Sequence, residues 1–144
     1  MASRQDRWQG LSHYPRPQHS PGFVLWRDFM QWQKGLNTAL RPYGLTQPQF
    51  AVLAVIGWMT RDDAPVTQQD VVGFLGLDRM HISQIATKLQ ADGNITRQGA
   101  TQDKRAKLLT PTPHGRRKLA QTMPIVEAYD LDFFAARRCD PAHN

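Results

Sequence analysis

The chain has 144 residues, 40% of them hydrophobic and 21% charged, which suits one folded domain and excludes a wholly disordered chain. The longest apolar run, residues 50–59, is too short to span a bilayer, and a single cysteine, Cys139, allows neither an internal disulfide nor a cysteine metal cluster. Residues 76–118 hold nine basic and three acidic residues, the whole of the net charge of +6, so the cationic surface is local and suited to a polyanion.

Residues 1–21 are polar, punctuated by Pro15, Pro17 and Pro21, and lack the apolar core of a secretory signal. They predict a flexible arm on a cytoplasmic protein. From there to residue 44, Leu25, Phe29, Trp32, Leu36 and Leu40 recur at helical spacing, and Phe23, Trp26 and Met30 add a second apolar strip. One core-facing helix does not need both strips, so this helix is expected to be sandwiched or to meet a partner chain.

Thr46 and Gln49 form a capping-box pattern before a helix over residues 47–59 that is apolar all round and expected at the centre of the core. Val66 is a candidate short strand. Thr67, with Asp70 in the first turn, starts a helix over residues 68–75. Gly76 and Leu77 make the short turn of a helix-turn-helix, and Asp78 caps a second helix extending to Asp92. In that helix Ile82, Ile85, Ala86 and Leu89 share a core-facing side. The other side displays Met80, Gln84, Thr87 and Ala91, flanked by Ser83 and Lys88, with Arg79 and His81 at the helix start. Small residues there allow close approach to a duplex groove, while arginine suits guanine, glutamine suits adenine and Met80 suits a thymine methyl.

Gly93 and Asn94 end the helix. Residues 95–98 and 106–110 read as a hairpin whose loop, residues 99–105, carries Asp103, Lys104 and Arg105, with Lys107 just beyond. Thr112 and Pro113 start a last helix, expected to break or kink at Pro124 and resume over residues 125–138. The fold class is thus mainly α with a small β-hairpin wing. It divides into an arm (1–21), a first dimerisation region (22–44), a winged helix-turn-helix lobe (45–111) and C-terminal helices, also for dimerisation (112–144).

In order and spacing the chain resembles the MarR family of winged helix-turn-helix regulators. The carrying residues are Leu45-Thr-Gln-Pro-Gln-Phe, Val66-Thr-Gln-Gln-Asp, Leu75-Gly-Leu-Asp-Arg-Met-His-Ile-Ser, Lys88-Leu-Gln-Ala-Asp-Gly-Asn-Ile-Thr-Arg and Asp103-Lys-Arg-Ala-Lys-Leu-Leu-Thr-Pro-Thr-Pro-His-Gly. The resemblance implies a homodimer on pseudopalindromic double-stranded DNA near promoters, usually a repressor. It assigns Arg105 to the minor groove with Asp103 steadying it, which a narrow A·T-rich groove favours. It also implies release by a small aromatic or phenolic effector in a cleft between the dimer region and the DNA-binding lobe. Phe23, Trp26, Phe29 and Met30 with Phe133 and Phe134 are the dimerisation candidates. Two features depart from the family pattern: a short final helix, and Met80-His81 where small hydroxyl residues are commoner.

His13, His19, His81, His114 and His143 are scattered without metal-pair spacing, and no nucleophile motif accompanies them, so neither an enzyme nor a cofactor is expected. The rival reading is a winged-helix protein-interaction module without DNA binding, against which the clustered charge counts.

Overall fold

The computed structural model of the protein describes residues 4–99 and 106–138. Its elements run α1 (Arg4–Gln9), α2 (Pro21–Leu40), α3 (Gln47–Met59), α4 (Gln68–Leu75), α5 (Arg79–Ala91), β1 (Ile95–Gly99), β2 (Lys107–Pro111) and α6 (Pro113–Arg138). The local signals explain the starts. Thr46 and Gln49 form a reciprocal capping box on α3, and Thr67 and Asp70 form another on α4. Thr112 caps α6, its hydroxyl accepting from the Gly115 amide at 2.9 Å.

Helix α3 lies at the centre, as its all-round apolar sequence predicts. It packs against α2, α4, α5, α6 and β2. Its Val52, Leu53 and Ile56 are fully buried, among Leu36 and Leu40 from α2, Val71 from α4 and Ile82, Ala86 and Leu89 from α5. Strands β1 and β2 pair antiparallel, Ile95 opposite Pro111 and Gly99 opposite Lys107. Val66 joins this hairpin: its carbonyl accepts from the Leu109 amide at 2.8 Å, and Thr67 bridges to Leu108. The hairpin is thereby tied to the start of α4.

Two expectations change. Within residues 1–21, read as a flexible arm, lie α1 and a 3-10 turn at Pro17–His19, with the Trp8 indole donating to the Tyr14 carbonyl at 3.0 Å. The final helix, expected to break or kink at Pro124, does not break there and is one continuous element of 26 residues. Proline removes the N–H that would bond the Ala120 carbonyl, but Ala120 and Pro124 are both exposed, so water can take that place. Residues 113–138 thus form one helix in place of two separated at Pro124.

Helices α2 and α6 are joined by polar contacts along an aromatic seam. Trp32 donates its indole N–H to Asp130 at 2.7 Å, Tyr129 donates its hydroxyl to the Trp32 carbonyl at 3.1 Å, and Arg137 pairs with Asp28 at 3.5 Å. The Arg137 guanidinium also lies 3.4 Å from the Phe133 ring centroid and donates to Gln31. Burial holds the Tyr129 hydroxyl above its ordinary pKa, an effect that Arg137 opposes and Asp130 reinforces.

Candidate nucleic-acid interface

Helices α4 and α5 form the helix-turn-helix, and its turn depends on Gly76, whose φ of 67° places it in the left-handed region that side chains disfavour. Asp78 then starts α5 by accepting from the His81 amide at 2.8 Å. The two sides of α5 separate as the periodicity predicts. Ile82, Ile85, Ala86 and Leu89 are buried, while Arg79, Met80, His81, Gln84, Thr87 and Lys88 are exposed and Ser83 is half-buried. Met80 is 72% exposed, which for a large apolar side chain leaves its surface free to meet a thymine methyl.

The outward residues are not equally free. Gln84 and Met80 stand clear, but Lys88 pairs with Asp92 at 3.2 Å, so its ammonium reaches a phosphate only in competition with that carboxylate. The Thr87 hydroxyl donates to the Ser83 carbonyl at 2.8 Å and accepts from Arg97 at 3.1 Å. Its one donor is thereby spent, and what it offers a base edge is chiefly its methyl. Arg79 lies with Lys107, Gln68 and Gln69 around a concavity of about 140 Å³ where α4, α5 and β2 meet. Two cations beside the start of a helix suit a backbone phosphate, which makes Arg79 a positioning contact as well as a candidate base reader. Asp103, Lys104 and Arg105, which fall between β1 and β2 in the sequence, lie outside the described residues, as does Cys139.

Sequence reasoning missed Arg97 and Gln90. Arg97, on β1, donates from Nε to Gln90 Oε1 at 2.9 Å and from Nη2 to Thr87, joining wing to recognition helix. The only available signal was the spacing of Thr87 and Gln90, three apart on one helix face, where a single guanidinium can bridge them.

The dimerisation candidates divide between two places. Phe23, Trp26 and Met30 form an exposed strip on α2, while Phe29, Phe133 and Phe134, with Leu25 and Trp32, line a groove of about 670 Å³ between α2 and α6.

A model of the MarR family matches residues 45–107. The HTH-type transcriptional regulator YdcH of Bacillus subtilis (strain 168), itself uncharacterized, is 37% identical over 125 residues, 87% of this chain and 85% of that protein. The chain belongs to the MarR family. Among solved structures, likeness extends to CouR from Rhodococcus jostii RHA1 bound to p-coumaroyl-CoA, at TM-score 0.71 and 27% identity over 83% of this chain and 80% of that one. It extends also to the M. tuberculosis transcriptional regulator MOSR in complex with DNA, at TM-score 0.69 and 25% identity over 81% of each chain. As a MarR-family protein this chain is a DNA-binding transcriptional regulator and not an enzyme. Among the described residues no helix is long and apolar enough to cross a membrane.

Proposed function

We propose that this MarR-family protein is a cytoplasmic, sequence-specific repressor that binds pseudopalindromic duplex DNA as a homodimer and is released by a small aromatic or phenolic compound. The observation that carries this reading is the coexistence of an exposed polar face on α5 with an unpartnered apolar strip on α2. At 100° per residue, Phe23, Trp26 and Met30 point roughly 125° away from Leu25, Phe29 and Trp32, which face the groove beside α6. Trp26 is 62% exposed and Met30 47%, apolar surface that a second copy would cover. A two-fold dimer presents two α5 helices to two half-sites, which is why its DNA site is expected to be nearly palindromic. Such a dimer seated at a promoter denies that DNA to polymerase, hence repression.

The groove between α2 and α6, which lies within the dimerisation regions and not between them and the DNA-binding lobe, supports the effector reading. It is walled by Phe29, Trp32, Phe133 and Phe134 and edged by Asp28, Arg137 and Arg138, an apolar slot with charge at its mouth that fits an aromatic ring bearing an acidic group. CouR, a relative in fold, is described bound to p-coumaroyl-CoA.

Selection of bound sequences from a random duplex pool, with the mass of each complex measured, tests the DNA and dimer parts together. The expected product is an inverted repeat with half-site centres about one helical turn apart, held by two chains. A lone asymmetric half-site held by one chain would overturn the homodimer, and failure to bind any duplex at low salt would overturn DNA binding. Titrating the selected complex with p-coumarate and other simple phenolic acids tests release, and a complex indifferent to all of them would remove the effector.

A further inference from the structure

Resting on that reading of α5 as the base-reading helix, we propose that Arg97 is a positioning residue for base readout, which fixes what Thr87 and Gln90 display to the groove without itself holding the DNA.

An arginine in a DNA-binding wing would ordinarily be assigned to a phosphate, and Arg97 is half-buried. The geometry of Arg97 opposes that. Its Nε is committed to Gln90 and its Nη2 to Thr87, and its Nη1 is shielded from solvent without an acceptor among the described residues. No matched pair of guanidinium donors is left to grip a phosphate in the bidentate manner that makes arginine effective there.

The consequences for its two partners follow from the donor inventory. Arginine only donates, so the atom of Gln90 that faces it must be the carbonyl oxygen. The Gln90 amide is thereby held with Nε2 turned away, as a donor pair, and Gln90 is exposed. Without Arg97 the amide could flip and present either end. Thr87 donates to the Ser83 carbonyl and accepts from Arg97, which commits its one donor and one of its two lone pairs and leaves the methyl as the main group for DNA. One wing residue thus sets two reading positions on the helix, one as donor and one as apolar.

The acceptors are also neutral. A carboxylate partner would cancel the positive charge of Arg97, whereas an amide and a hydroxyl leave it in place beside the groove. Arg97 therefore adds to the field that attracts DNA while its donors stay on the protein.

The test compares Arg97→Gln, Arg97→Lys, Thr87→Val and the double variant Thr87→Val/Arg97→Gln. Each is titrated against the selected duplex and a scrambled one over a range of salt, with Tm recorded for each. Thr87→Val leaves the charge unchanged, and Arg97→Lys keeps the charge without the planar fork that spans two acceptors. Both are expected to lower the ratio of specific to non-specific affinity about tenfold, the loss of roughly one readout contact, while the salt slope stays as in the parent. The double variant should be no worse in that ratio than Arg97→Gln alone. Restoration of parental affinity by lysine, with a slope that drops by about 0.9 only in Arg97→Gln, would make Arg97 a phosphate contact and overturn the proposal. Additive effects of Thr87→Val and Arg97→Gln would overturn it too. A specificity ratio that does not move while Tm falls would reduce Arg97 to a structural link and likewise overturn it. Should the parent bind no duplex, the DNA reading fails by itself, and the Thr87–Arg97 coupling energy from denaturation of the parent, Thr87→Val, Arg97→Gln and the double variant decides whether the clamp exists.

Discussion

The hydroxyl of Tyr129 occupies the space that a Cβ at Gly35 would need. Helices α2 and α6 come this close because position 35 carries no side chain, and the hydroxyl uses the gap to reach the Trp32 carbonyl. Gly35→Ala is therefore expected to destabilise by about 1–3 kcal/mol, since the tyrosine must leave its position or its hydrogen bond. In a Tyr129→Phe background the same substitution should cost less. Urea denaturation of the two single variants and the double variant at one protein concentration reads this, and strict additivity would mean that the two residues do not meet.

The same tyrosine makes stability fall at alkaline pH. Its folded pKa lies above the ordinary value of 10.0, so the unfolded chain ionises first as pH rises. The contribution of the neutral hydroxyl is complete below pH 10.0 and is lost as pH climbs from there through the raised folded value. Denaturation midpoints measured across that window should decline in the parent and decline less in Tyr129→Phe.

Gly115 presents a harder version of the Gly35 problem. A Cβ there would overlap the backbone carbonyl of Asn94, which already accepts from the Thr112 amide at 3.0 Å. A carbonyl in the buried joint between wing and α6 cannot swing aside as a side chain can. Gly115→Ala should cost about 3 kcal/mol or more and should weaken DNA binding as well, because it displaces the wing from α5. A variant with parental Tm and parental affinity would show that the joint is slack.

Asp92→Asn should do the reverse of harm. The Lys88–Asp92 pair is exposed and adds little stability, and an acidic residue at the end of α5 opposes the helix dipole. Stability should change by less than about 0.5 kcal/mol. Duplex affinity should rise a few-fold at low salt, with the gain disappearing at high salt as the freed Lys88 is screened. Fluorescence anisotropy at several salt concentrations would measure it.

Gln84→Ala and Arg105→Ala should fail in different ways. Gln84 is exposed on the reading face, so its loss is expected to change which bases are preferred. Arg105→Ala should weaken binding to most sequences and reduce the salt slope. Repeating the selection with each variant separates the two effects, and an unaltered preference in Gln84→Ala would remove that residue from readout.

What was legible in the sequence was what neighbouring residues decide among themselves. Thr46 with Gln49 and Thr67 with Asp70 cap their helices through contacts three residues apart, and the bounds of α3 and α4 follow from them. The two faces of α5 followed from helical period alone. The Arg97 clamp was hidden because it joins a strand to a helix across seven and ten residues, a relation fixed by how the wing folds back. The continuity of α6 through Pro124 was hidden for another reason. A proline signals a missing hydrogen bond, and whether the helix survives depends on the solvent around Ala120, which is a tertiary property.

That unbroken helix has a mechanical meaning. It begins at the foot of the wing, where Gly115 touches Asn94, and ends among Phe133, Phe134 and Arg137 beside α2. At 1.5 Å per residue it is a strut about 39 Å long, and a swing of about 5° at one end carries the other through about 3 Å. Because that displacement is as large as a hydrogen bond is long, a small change in the angle at which α6 leaves the aromatic groove is enough to make or break a contact at the foot of the wing.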